Sequence, residues 1–414
     1  MKRPILILLS IILSFTLLYG CNNSKEDYLS YDAKINNTPS YYKNSCKERN
    51  NYKISNNSVS PANPKMKINK DGNISLYKYA PYFNVLDKMY IDYYSSYDSM
   101  SKYIIKKYDK AQRKASDNPD FIISDYKDGV SIDIYNGKEK NLKIPSKLDG
   151  KKVIKIGNHI VDDEELFCGV VSPFDKIISI TIPSTVKYIS YEALNDRWNV
   201  GDSYKHFLEK IYVDKNNPYY TSIDGILYNK DKTCLLQIPM NYKKTTVSIP
   251  KGTKAVYCLN ADTTKKIIIP STVLSFGEPI DKNGNYDVNC DLPDPYETPL
   301  NSEYFNHNIK EFKVSKNNKY YASSDGVLYN IFKSLLLAYP KIKNNKSFTV
   351  PESVRIICNT VDFSENDFLQ TIIFGKNIDR IDGEIGEFQT INGYKNTVAY
   401  KDAKEYGCKF VERK

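Results

Sequence analysis

Histidine, cysteine and paired carboxylates carry most enzymatic chemistry, and this chain uses them sparingly or irregularly. Three His in 414 residues leave little for imidazole metal sites or acid–base relays. The eight Cys show no CxxC spacing, which argues against zinc ribbons and thioredoxin-like redox chemistry. No HExxH, GxSxG, phosphate-binding loop or Cys–His constellation occurs. A glycosidase pair could draw its acids from distant positions. Nearly every Asp-Gly here, however, stands where the chain needs a turn. The expectation is a non-enzymatic chain with no catalytic residues, no metal and no cofactor.

Recognition is the remaining chemistry, and two segments have the residue types for it. Glu278 to Asn308 carries seven acids against the single Lys282, on a chain whose net charge is +10. Its candidate binding residues are Asp281, Asp287, Asp291 and Asp294, which could steer a basic partner. Asp281, Asn283, Asn285 and Asp287 alternate like calcium ligands, but Gly284 is misplaced and Leu292 replaces the closing Glu. A solvated loop is the expected reading. Tyr188 to Phe207 holds Tyr191, Arg197, Trp198, Tyr204 and His206, the residue types that anchor binding hot spots. An ordinary apolar edge of the fold explains them nearly as well.

Other segments must display these. Lys2 and Arg3 precede an apolar run from Ile5 to Leu18. As a helix that run rises about 21 Å, short of a bilayer core of about 30 Å, so residues 1–20 read as an export signal. Leu18-Tyr19-Gly20-Cys21 resembles a bacterial lipoprotein box, which implies a lipidated Cys21 and a stable hold on the membrane through several acyl chains. Residues 21–76 are polar and aperiodic, a flexible tether. Over 77–119, Tyr82, Leu86, Met89, Tyr93, Tyr97, Met100, Ile104 and Tyr108 mark one face of a helix. Lys102, Lys106, Lys107, Lys110, Arg113 and Lys114 crowd its second half, and Asp117-Asn118-Pro119 ends it.

From Asp120 the sequence repeats. Ile211 to Ala255 matches Phe312 to Ile356 without a gap, including Lys-Asn-Asn, Tyr-Tyr, Asp-Gly and Leu-Tyr-Asn. A shorter unit of two or three apolar residues, Pro, a few polar residues and a β-branched or apolar pair recurs at Leu142–Pro145, Ile180–Pro183, Val247–Pro250, Ile267–Pro270 and Phe348–Pro351. Each is too short to bury itself, so identical neighbours must stack on it, and Pro ends each strand because it cannot donate to a ladder. Much of the tyrosine, 36 residues, belongs to these rungs and to the helix stripe.

These motifs, with Ile144-Pro145-Ser146, Asp149 to Gly157, Ile182-Pro183-Ser184-Thr185-Val186 and the ending Ile391 to Phe410, resemble the BspA-like bacterial leucine-rich repeats. The resemblance implies a β-rich leucine-rich-repeat solenoid over 120–385, interrupted at 278–308 and closed by a cap at 386–414. It also implies a non-enzymatic binding surface and transfers no functional residues. The partners expected are a membrane, through the N-terminal lipid, and a protein or glycan ligand, with no nucleic acid. The chain is expected to be exported and lipid-anchored at the bacterial cell surface. An envelope-organising lipoprotein without external ligand is the alternative.

Overall fold

The structure is a computed structural model that describes residues 111–414 except 158, 162–168, 172, 175, 191–192, 195–206, 260, 277–307 and 359. The sequence's Pro-ended tripeptides become short parallel strands that stack in register. Asn141–Lys143, Ser179–Ile182 and Lys210–Val213 form one parallel trio. Thr246–Ser248, Lys266–Ile269 and Glu311–Val314 form a second. Ser347–Thr349, Thr371–Ile373, Thr390–Gly393 and Lys409–Glu412 form a parallel quartet. Alternation decides which side chains go inward. Leu142, Ile180, Ile211, Val247, Ile267, Phe312, Phe348, Ile372 and Ile391 are buried, and their neighbours along each strand face out.

After three of these strands a Pro carbonyl closes a tight turn. Val186, Thr253 and Val354 donate their backbone N–H to the carbonyls of Pro183, Pro250 and Pro351. The chain then enters a two-residue strand on a second sheet. Ala255–Val256 and Ser275–Phe276 pair in parallel there, one rung of 20 residues apart in the pairing of Ala255 with Ser275. Ile356–Ile357 and Arg380–Ile381 repeat the arrangement.

The long repeat adds a hairpin to this plan. Tyr220–Ile223 turns back into Ile226–Asn229, and Tyr321–Ser324 into Val327–Asn330. Asp224 and Gly225 have φ of 55° and 85°, and Asp325 and Gly326 have 49° and 76°. Both pairs are thus left-handed turn residues, as hairpin geometry demands. Each turn also ends a parallel trio: the Gly225 carbonyl accepts from Ile211 N and that of Gly326 from Phe312 N, both at 2.9 Å.

Three buried asparagines tie successive rungs. Asn217 donates to the carbonyls of Pro183 and Val186 at 2.8 and 3.0 Å, and its Oδ1 accepts from Tyr219 N and Tyr220 N at 2.8 and 2.9 Å. Asn318 makes the same four bonds with Pro270, Val273, Tyr320 and Tyr321. Asn366 makes them with Pro340, Lys343, Phe368 and Leu369. A primary amide can satisfy two carbonyls and two N–H groups at once, which Ser or Asp cannot do.

The sequence reading needs one correction at the N-terminal edge. Arg113–Lys114, assigned above to the basic half of a helix, is a strand antiparallel to Phe121–Tyr126. Ala115 packs into the core, and the Asp117 carboxylate accepts from Asp149 N at 2.9 Å. The β-rich unit therefore starts before Asp120. The rest of the expected stripe, Tyr82 to Tyr108, lies outside the described residues. At the other end, 386–414 continues the ladder and adds helix α1 (Val398–Glu405), which buries Ala399 and Ala403. Among the described residues no helix is long and apolar enough to cross a membrane.

Candidate recognition face

Because inward positions are apolar, the outward positions of the parallel strands are free to vary. In the first trio the register aligns Asn141, Ser179 and Lys210 in one row and Lys143, Thr181 and Tyr212 in the next. Tyr212 is 43% exposed, and Phe332, Phe368, Phe388 and Tyr406 are somewhat more exposed elsewhere on the described surface. In the second trio Thr246, Lys266 and Glu311 share a row, as do Ser248, Ile268 and Lys313. In the quartet the rows are Ser347, Thr371, Thr390, Lys409 and Thr349, Ile373, Asn392, Val411. Neighbours along a row are spaced by the ladder, about 4.8 Å.

Electrostatically these faces are basic. Lys266 pairs with Glu311 through two contacts of 2.9 Å. Lys143, Lys210, Lys313 and Lys409 have no carboxylate partner among the described residues. Ser179 donates to Asn141 Oδ1 at 2.8 Å. A row of hydroxyls, amides and ammonium groups can hydrogen-bond and attract an anion; it offers no nucleophile–base pair.

An aromatic cluster lies on the N-terminal mixed sheet. The rings of Tyr126 and Tyr188 meet edge-to-face at 5.4 Å. Lys127 Nζ sits 3.8 Å from the Tyr188 ring centroid, Lys155 Nζ 4.4 Å from that of Tyr126, and Lys187 Nζ 5.5 Å from that of Tyr219. The hydrogen bond from Lys127 holds the Tyr188 pKa below its usual value. Burial pushes Lys127 down, but the hydrogen bond and charge interactions with Tyr188 and Tyr126 outweigh it and raise that pKa.

Of the residues nominated from sequence, Cys21, Tyr191, Arg197, Trp198, Tyr204, His206, Asp281, Asp287, Asp291 and Asp294 all lie outside the described residues. Within the first segment, Tyr188 belongs to the aromatic cluster and Ala193 and Leu194 are buried; the strand Ser275–Phe276 precedes the second. Sequence reasoning missed Tyr212 and the outward rows, although alternation within each tripeptide marks which residue points out. Among the described residues no group of three or more His, Cys, Asp or Glu is placed to hold a metal. Cys234, Cys258, Cys358 and Cys408 are buried thiols, and burial pushes the Cys234 thiol far above its usual range.

Comparison with known proteins gives only distant likenesses. No family model and no curated protein matches the chain. Among solved structures it is similar to the pneumococcal vaccine antigen PcpA, at 14% identity and a TM-score of 0.35 over 64% of this chain and 60% of that one. The chain thus spans about three fifths of that antigen's length. A leucine-rich cell surface protein from Faecalibacterium prausnitzii matches at 14% identity and TM-score 0.32, covering 67% and 74% of the two chains. A leucine-rich repeat protein from Eubacterium ventriosum matches at 16% identity and TM-score 0.32, covering 69% and 72%.

Proposed function

We propose that this chain is an exported, non-enzymatic recognition scaffold: a BspA-like leucine-rich-repeat solenoid, lipid-anchored through Cys21 and displaying its parallel-ladder face at the cell surface. The observation that carries the reading is the outward rows. Their side chains are redundant for the core, yet they place an exposed Tyr212 beside Thr181, with Lys143 at the far end of the same row and Lys210 in the next. Aromatic and cationic groups on a preordered backbone bind with little ordering cost. Export and anchoring are supported by Lys2, Arg3, the apolar run and the Leu18–Cys21 box. The ligand in this reading is a protein or glycan outside the cell.

The test is capture of the purified chain on arrays of matrix proteins and glycans, with a Tyr212→Ser, Lys143→Gln variant alongside. The reading expects wild-type binding and at least tenfold weaker binding by the variant, at unchanged melting temperature. Equal binding by both proteins would move the site off this face. No binding by either, together with full protection from protease added to intact cells, would overturn surface recognition.

A further inference from the structure

The quartet ends in charges that the fold does not neutralise. Lys376, Tyr394 and Arg413 each follow a strand of it, after Thr371–Ile373, Thr390–Gly393 and Lys409–Glu412. Parallel register brings them together. Lys376 Nζ lies 4.5 Å from the Tyr394 ring centroid and the Arg413 guanidinium carbon 5.2 Å from it. One ring therefore gathers two like charges. Arg413 donates to the Phe374 carbonyl at 3.1 Å, and neither cation has a carboxylate partner among the described residues. Of the nearby acids, Glu412 pairs with Lys395 at 2.6 Å, and Glu352, which borders Gly375, accepts from the Asn377 amide at 3.5 Å and makes no ion pair with either cation.

The ring's negative face offsets part of the repulsion between two such cations. An anion drawn to both would offset the rest. Beside them the outward positions are Ser347, Thr371 and Thr390 in one row, with Lys409 on the edge strand, and Thr349, Ile373, Asn392 and the exposed Val411 in the next. Hydroxyl and amide groups in rows suit the hydroxyls of a sugar chain, and a tyrosine ring suits its C–H face.

We infer that this corner binds the anionic group of an acidic polysaccharide, drawn to Lys376 and Arg413 beside Tyr394, with the sugar chain along the Thr- and Asn-lined rows. The inference rests on the reading of the ladder as a recognition face and names its ligand class. The experiment is affinity electrophoresis of the purified full chain through gels containing alginate (carboxylate), heparin (sulfate) or dextran (uncharged). The expected result is retardation by at least one polyanion and none by dextran. A Lys376→Gln, Arg413→Gln double variant should bind that polyanion about tenfold more weakly and with a shallower salt dependence. A Lys138→Gln, Lys251→Gln variant is the control for overall charge.

Equal weakening by the control variant, no loss in the double variant, or retardation by dextran would each overturn the site. So would a lack of retardation by both polyanions. In any of these cases, array capture that still depends on Tyr212 leaves the broader reading standing; its loss as well removes both. Matching thermal melts separate lost binding from lost folding, and Lys376→Gln alone, at an exposed position, supplies a second variant.

Discussion

Replacing Asn217 by aspartate changes one NH2 to an oxygen and little else, so it isolates the bonds between rungs. The Asn217 amide group donates at 2.8 and 3.0 Å to two carbonyls of the preceding rung, and Asn217 is fully buried. Aspartate keeps the acceptor role toward Tyr219 N and Tyr220 N but turns a second oxygen toward those carbonyls. Two buried carbonyls then lose a donor, at about 1–3 kcal/mol each, and a charge is buried against them. The sum at pH 7 is about 4 kcal/mol, or a fall in melting temperature of about 8 °C for a unit of this size. Acid should reverse part of it. The carboxyl's folded-state pKa is raised above the unfolded value of about 3.9, because its neutral form can donate one hydrogen bond. The penalty is therefore present above the folded pKa and shrinks as pH falls toward the unfolded one. Recovery of about 2 kcal/mol corresponds to a folded pKa near 5.4, so the gain should come between about pH 6 and 4. Circular-dichroism melts of N217D, N217A and wild type across that range make the measurement, with the exposed Asn216→Asp as control. If N217D melts within 1 °C of wild type at pH 7, or loses stability relative to wild type on acidification, asparagine does not tie the rungs.

The cap helix provides a native counterpart. Burial, with the charges of Glu405 and Asp382, raises the Asp402 pKa to about 6. A raised carboxylate favours the folded state below its unfolded pKa and loses that contribution as pH rises through 6. Asp402→Asn should therefore stabilise the chain at pH 7 by roughly 1 kcal/mol after solvent screening, and flatten the profile from pH 4 to 7; a lower melting point at pH 7 would refute this. Gly225→Ala should cost about 1–2 kcal/mol, because φ is 85° and the new methyl would sit 3.0 Å from Lys210 Cγ. Gly326→Ala should cost less, its nearest atoms being 3.4 Å away, and urea titrations of the pair would rank them. Cys234, Cys258 and Cys358 should resist maleimide in the native protein and react on unfolding, read by peptide mass mapping; labelling at native conditions would contradict their burial.

Much of the fold was legible because its rules are local. Ile180, Ile182 and Pro183 announce an inward–outward–inward strand with a stop, and Asp224-Gly225 announces a left-handed turn. Asn217 and Asn318 were legible only as matching letters. Their bonds reach carbonyls more than thirty residues earlier, a distance that stacking sets and local pattern does not. Arg113 and Lys114 were misassigned because a helical stripe can be extended on paper past the point where Ala115 and Phe121 find a sheet. The basic corner was harder still. Lys376, Tyr394 and Arg413 are each about one rung apart, but nothing in that spacing says that one ring gathers both cations.

The central claim is that the ladder face is displayed to the outside. Thr349→Cys places a thiol on an exposed outward position, and a membrane-impermeant maleimide applied to intact cells reads its access directly. The account predicts labelling of that peptide on intact cells to the same extent as after lysis, with Cys358 unlabelled in both. Labelling of the Thr349→Cys peptide only after lysis would contradict it.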